Sequence, residues 1–138
     1  MIFNLTNNSH ELYSNYRIYI KGKLMKEFIK VTKALSDPAR VKIIKMLQHK
    51  KMCVCELREI LQINQPSVSK HLKILENAGL VYSAKDGLWV NYQLTDGSSS
   101  PYAASFLGNL RHWLSDDPEI ATMIFKLPEI RREDICKI

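Results

Sequence analysis

Residues 64–81 read N-Q-P-S-V-S-K-H-L-K-I-L-E-N-A-G-L-V. The stretch predicts a helix that opens at Asn64 or Gln65, with Pro66 tolerated in the first turn, where its missing N–H costs nothing. Val68, Leu72 and Leu75 fall in one narrow arc of the helical wheel, and Lys70, Lys73 and Asn77 lie opposite. Gly79 stands where a helix C-terminus needs a left-handed residue. A second, shorter helix precedes it, from near Cys55 to Leu61, with Leu57, Ile60 and Leu61 inward. Between the two, Q-I-N-Q (62–65) turns the chain. Two helices joined by so short a turn are the core of a helix-turn-helix.

Working outward, the period changes after Gly79. L-V-Y-S-A (80–84) and L-W-V-N-Y-Q-L (88–94) are strand-forming runs joined by K-D-G (85–87), a hairpin signal. Upstream, Asp37-Pro38 is an N-cap followed by proline at the first helical position. The helix it opens, through A-R-V-K-I-I-K-M-L-Q, places Val41, Ile44 and Leu47 inward and Arg40, Lys42 and Lys45 outward. A helix opening near Met25 carries Phe28, Val31 and Leu35 on one face. Downstream, S-S-S-P-Y caps a fifth helix with Tyr102, Phe106, Leu110 and Trp113 at i, i+4, i+8 and i+11, and Asp117-Pro118 starts another. The expected fold is α+β and mainly helical: a winged helix-turn-helix of about five to six helices with a β-hairpin wing. Residues 1–24 are read as an N-terminal extension, non-native or disordered. Residues 25–116 form the DNA-binding and dimerisation domain, and 117–138 a C-terminal helix and tail.

The charge pattern suits a polyanionic partner. The 138 residues carry a net +6, but residues 21–75 hold 13 Lys or Arg against 4 Asp or Glu, a balance of +9, and the rest of the chain is at −3. Double-stranded DNA is the partner this module implies, its second helix entering the major groove. Gln65, Ser67, Ser69, Lys70 and His71 are placed to reach bases or phosphates, His71 alternatively packing half-buried against the core. Lys73 is assigned to phosphate and Lys85, at the wing tip, to an adjacent groove or the DNA backbone. The aromatic stripe of Tyr102, Phe106 and Trp113, with Leu110, is too large for one small domain. Together with Phe28, Val31 and Leu35 it predicts the interface of a homodimer. No apolar run approaches the roughly 20 residues that span a bilayer, and no secretion signal opens the chain, so a cytoplasmic protein with free thiols is expected.

Three cysteines remain, and two of them sit one residue apart in M-C-V-C-E-L (52–57). Residues two apart in a helix point about 200° away from each other. Unless the backbone there is non-helical, Cys53 and Cys55 cannot grip one ion. A helix N-terminus and the neighbouring Lys50 and Lys51 each favour the thiolate, which predicts lowered thiol pKa values.

A-L-S-D-P-A-R-V-K-I-I-K-M-L, M-C-V-C-E-L, N-Q-P-S-V-S-K-H-L-K-I-L-E-N-A-G-L-V and K-D-G-L-W-V-N-Y-Q-L, in that order over about residues 25–115, resemble the ArsR/SmtB family of bacterial metal-responsive repressors. The resemblance implies a dimeric winged helix that blocks transcription of resistance genes until a metal(loid) binds. It implies that Cys53 and Cys55 are thiolate ligands for trivalent arsenic or antimony (arsenite or antimonite as inducer), or for a soft divalent ion such as cadmium, lead or zinc. The arsenic-sensing pattern has a third cysteine where this chain has Arg58. Three versions follow: Cys136 folds back from the same or the partner subunit, two thiolates suffice, or the ion is not arsenic. If the two thiols lie in a regular helix, drawing them together unwinds or tilts its first turn and so misplaces the recognition helix. The family's second metal site, on the last helix, would have only His112, Asp116 and Asp117 here, a poor zinc set. A thiol-redox regulator is the competing reading. Nothing points to an enzyme: there is no Cys-x-x-Cys, no Gly-rich phosphate loop and no His-carboxylate arrangement.

Overall fold

The helix-turn-helix is set by its caps. In the computed structural model, which describes residues 23–136, the Asn64 side chain accepts from the Ser67 N–H at 2.9 Å and starts α4, Gln65–Asn77. Before it, α3 runs Val54–Leu61 and ends on Gln62 in the left-handed region (φ 56°, ψ 41°). Val68, Leu72 and Leu75 of α4 are buried, facing Leu57 and Ile60 of α3. At the far end Leu80 N–H reaches back to Leu75 O at 3.0 Å and Gly79 takes φ +75°. The left-handed backbone angle there calls for glycine.

The remaining elements surround this pair. An N-terminal helix, α1, is described over residues 23–34; the extension expected over 1–24 falls outside the described residues except for 23 and 24. Asp37 caps α2 (Pro38–Leu47), its carboxylate accepting from Ala39 N at 2.9 Å and Arg40 N at 3.3 Å. The wing is β2 (Val81–Asp86) against β3 (Trp89–Leu94), antiparallel, with Asp86 opposite Trp89 and the two-residue turn Gly87-Leu88 between them. There follow α5 (Pro101–Leu110), α6 (Pro118–Lys126), a 3-10 turn (Leu127–Glu129) and α7 (Arg132–Ile135). Ile120, Met123 and Leu127 join the core made by α1 to α5 and the sheet, so the C-terminal segment packs with the rest.

Three features differ from the sequence reading. A short strand β1 (Met52–Cys53) adds to β3, with Met52 opposite Tyr92 and Cys53 opposite Asn91, giving the sheet order β1-β3-β2. Two residues carry too little period for a strand signal. Trp113 lies in the turn after α5, which ends at Leu110, and is 52% exposed. Lys45, expected outward on α2, is buried at 1% exposure. Its ammonium donates to Leu110 O at 2.6 Å, Trp113 O at 2.9 Å and Ser115 Oγ at 3.4 Å, satisfying a carbonyl at the end of α5 and another in the turn after it. Burial pulls its pKa below the ordinary lysine value. Replacing Lys45 with Met keeps the stem but strands those acceptors. The variant should lose about 1–3 kcal/mol in urea unfolding, and a loss below about 0.5 kcal/mol would contradict this role.

Candidate metal centre

The first thiol is set by the β1–α3 junction. Cys53 is the N-cap of α3 with extended backbone (φ −87°, ψ 171°), so it belongs to the strand while Cys55 belongs to the first helical turn. The divergence of two thiols within one helix therefore does not arise, and no unwinding of α3 is needed to bring them together. Glu56, itself buried, fixes the junction: its Oε1 accepts from Cys53 N–H at 3.0 Å, and its Oε2 accepts from Lys50 Nζ at 3.2 Å.

The third thiol comes from the same chain. Cys136 is the C-cap of α7, and α7 packs against α3. Cys136 Sγ lies 3.6 Å from Cys53 Sγ, and the sulfurs of Cys53, Cys55 and Cys136 all lie within 4.8 Å of one another. Cys53 is buried, Cys55 and Cys136 half-buried, and all three are free thiols. Among the described residues this is the group of three or more His, Cys, Asp or Glu side chains close enough for one ion. The alternative trio does not assemble: His112 and Asp116 are exposed, and Asp117 accepts from Glu119 N and Ile120 N as the cap of α6.

The electrostatics differ from the expectation of lowered thiol pKa values. Burial pushes Cys53 up, outweighing the hydrogen bonds from the Glu56 backbone and Cys136 that favour its thiolate. Burial, followed by the neighbouring thiols, pushes Cys136 far up. Lys50 does not offset this because its ammonium is spent on Glu56 and on Ile130 O at 2.5 Å. Lys51 is exposed.

Beside the thiols a polar cluster ties the tail to the wing. Arg132 Nη2 meets Asp86 Oδ2 at 2.9 Å, Nη1 donates to Asn91 Oδ1 at 3.2 Å, and the guanidinium stacks 4.3 Å over Trp89. The Arg132 hydrogen bond and charge hold the Asp86 carboxyl below its ordinary range. Nothing in the sequence pattern pairs Arg132 with Asp86, and the sequence reading missed it.

The residues assigned to DNA divide into two groups. Gln65, Ser69, Lys70 and Lys73 on α4 and Lys85 on β2 are exposed, and Ser67 is half-buried at the α4 cap. His71 is half-buried and turned toward the protein. Its Nδ1 lies 3.3 Å from Arg40 Nη1 and 4.0 Å from Asp37 Oδ1, while Arg40 also donates to Ala34 O at 2.6 Å. Of the residues assigned to a dimer face, Val31 and Leu110 lie in the protomer's own core. Phe28 meets Tyr102 edge to face, 5.3 Å between ring centroids, and is 39% exposed. Leu35, Tyr102 and Phe106 are half-buried.

Comparison with known proteins agrees with this architecture. Residues 37–83 match the family model described as bacterial regulatory protein, arsR family. The arsenical resistance operon repressor of Bacillus subtilis is 39% identical over 77 residues, covering 55% of this chain and 73% of that protein. Among solved structures, HlyU from Vibrio cholerae is similar at 28% identity and a TM-score of 0.53, over 63% of this chain and 90% of that one. The homodimeric winged helix-turn-helix DNA-binding domain of Mb0332 from Mycobacterium bovis shares the fold at 22% identity and a TM-score of 0.57, over 66% of this chain and 81% of that one. With its helix-turn-helix, its wing and this degree of identity to a curated relative, the chain belongs to the arsR family of bacterial regulatory proteins.

Proposed function

We propose that the protein is a dimeric, cytoplasmic transcriptional repressor that leaves its operator when trivalent arsenic, or antimony, is bound by Cys53, Cys55 and Cys136. One observation carries this reading: three sulfurs of a single chain lie within 4.8 Å of one another. Soft sulfur donors select soft ions. Three sulfurs, joined by no histidine or carboxylate among the described residues, suit a pyramidal three-coordinate ion better than tetrahedral zinc, which collects four ligands. The similarity to a Bacillus subtilis protein named as an arsenical resistance operon repressor supports an arsenical as the inducer. In this reading the site Arg58 fails to supply in α3 is completed from the C-terminal tail.

For the DNA, Gln65, Ser67, Ser69 and Lys70 at the start of α4 read base edges, and Lys73 and Lys85 contact phosphate. His71 positions α4 on α2 rather than touching a base. The homodimeric Mycobacterium bovis domain of the same fold supports a two-fold assembly. Phe28, Leu35, Tyr102, Phe106 and Trp113 supply its apolar face, and the two α4 helices then meet half-sites about one helical turn apart.

Fluorescence anisotropy of the reduced protein on its own upstream DNA tests this reading. Arsenite should release the wild type and leave Cys53→Ser, Cys55→Ser and Cys136→Ser bound. Release that persists in Cys136→Ser would remove the tail from the site. Loss of release in none of the three would remove the thiols altogether.

The proton balance separates arsenic from a divalent ion. Condensation of thiols with As(OH)3 gives As(S-Cys)3 and three waters, each hydroxide leaving with a thiol proton. A divalent ion instead expels protons into solution, and more work is needed where burial holds the thiols protonated, as at Cys53 and Cys136. Between about pH 6 and about pH 8, arsenite affinity should stay nearly flat while cadmium affinity climbs with pH. Competition titration at several pH values reads both. A steep rise for arsenite would contradict the three-thiol condensation.

A further inference from the structure

The tail that supplies Cys136 also holds the wing. Arg132 opens α7 and Cys136 caps it one turn later, its N–H donating to Arg132 O at 2.8 Å. No residue of α7 is fully buried and its one apolar side chain, Ile135, is half-buried, so apolar packing holds this helix only loosely against α3. It is tethered by polar contacts at its start and by thiol contact at its end. The polar end is Arg132, its side chain only 22% exposed, whose guanidinium reaches three wing residues at once: Asp86, Asn91 and Trp89. Asp86 and Trp89 face each other across the wing turn, and Asn91 pairs in register with Cys53. Asn91 Nδ2 also donates to Asp86 Oδ2 at 3.1 Å, closing the cluster.

We propose that Arg132 is a positioning residue that transmits occupancy of the thiol triangle to the DNA-facing wing, because one short helix carries both Cys136 and the guanidinium that grips Asp86, Asn91 and Trp89. The inference rests on the functional reading above. The three sulfurs, now up to 4.8 Å apart, must close on a single ion. Cys53 and Cys55 are fixed by β1 and α3, whereas Cys136 rides on a helix with no buried residue, so α7 is the part that moves. Arg132 moves with it and re-aims the wing. A planar guanidinium whose two terminal nitrogens reach two residues, Asp86 and Asn91, suits this task because it fixes direction as well as distance. Lysine would keep the charge and lose that geometry.

The test compares wild type, Arg132→Gln, Arg132→Lys and Asp86→Asn, each as full chain, using arsenite as the ligand. Two quantities are read: arsenite bound per protomer by native mass spectrometry, and the ratio of operator affinities without and with arsenite. In the wild type that ratio should fall within the roughly 5- to 150-fold range of allosteric coupling. Arg132→Gln and Asp86→Asn should still bind one arsenic per protomer while the ratio drops to within about twofold of unity. Arg132→Lys should recover part of it, and the Arg132→Gln/Asp86→Asn pair should lose no more than either alone. Full release in Arg132→Gln with arsenic bound would overturn the clamp and leave the functional reading intact. Loss of arsenic binding in Arg132→Gln would also overturn it, since the residue would then build the site rather than couple it. No release in the wild type would sink the functional reading and the clamp together. Asp86 lies on the wing outside the apolar core, so its variant decides the matter even if Arg132→Gln folds poorly.

Discussion

The conformation of Cys53 is the constraint on which the candidate site depends. An extended residue at the end of β1 points its sulfur away from the helical track that Cys55 follows, and this lets two thiols one residue apart converge. Several contacts hold it: pairing with Asn91 in the sheet, the N–H bond to buried Glu56, and the Lys50 ammonium that neutralises Glu56. A buried carboxylate without a partner costs several kcal/mol, so Lys50 and Glu56 are best viewed as one unit. Lys50 also reaches Ile130 O, so the residue that secures the β1–α3 junction secures the approach to α7 as well.

Helix caps and sheet register explain how a chain with so few cysteines brings all three together. Asn64 and Asp37 start the helices that flank α3, and Gly79 releases the chain from α4 into β2. The hairpin returns β3 alongside β1, so the strand that carries the wing also borders the thiol junction. The wing and the site are neighbours by topology before any side chain links them. Burial then leaves Cys53 and Cys136 as neutral thiols, although Cys53 caps a helix whose N-terminal dipole favours the thiolate. Desolvation is the larger effect here. Two thiols held toward the neutral form suit a ligand that brings its own hydroxide to each proton.

Local signals made most of the fold legible in the sequence. Asp37-Pro38, Asn64 with Pro66, and Gly79 mark element ends through backbone chemistry that does not depend on the rest of the protein. The arc of Val68, Leu72 and Leu75 named its own buried face. What stayed illegible needed tertiary information. Lys45 lies on the polar side of α2 by periodicity, yet it is buried because the end of α5 and the turn after it offer three acceptors to its three N–H groups. Strand β1 has two residues and exists only because β3 passes beside it. Gln62 adopts a left-handed turn without being glycine. Arg132 and Asp86 are separated by most of the C-terminal half. The cysteine pair drew attention from the sequence, but the geometry that lets it work comes from the strand it was not expected to form. Likewise, reaching Cys136 from the same chain depends on α7 folding back onto α3, which a mostly polar tail does not announce.

The most direct measurement of the central claim is X-ray absorption at the arsenic edge, on the reduced 138-residue chain loaded with one equivalent of arsenite. The account predicts a first coordination shell of three sulfurs and no oxygen, reduced to two sulfurs and an oxygen in Cys136→Ser. Two sulfurs and an oxygen already present in the wild type would contradict it, because the tail cysteine would then stand beside the site without belonging to it.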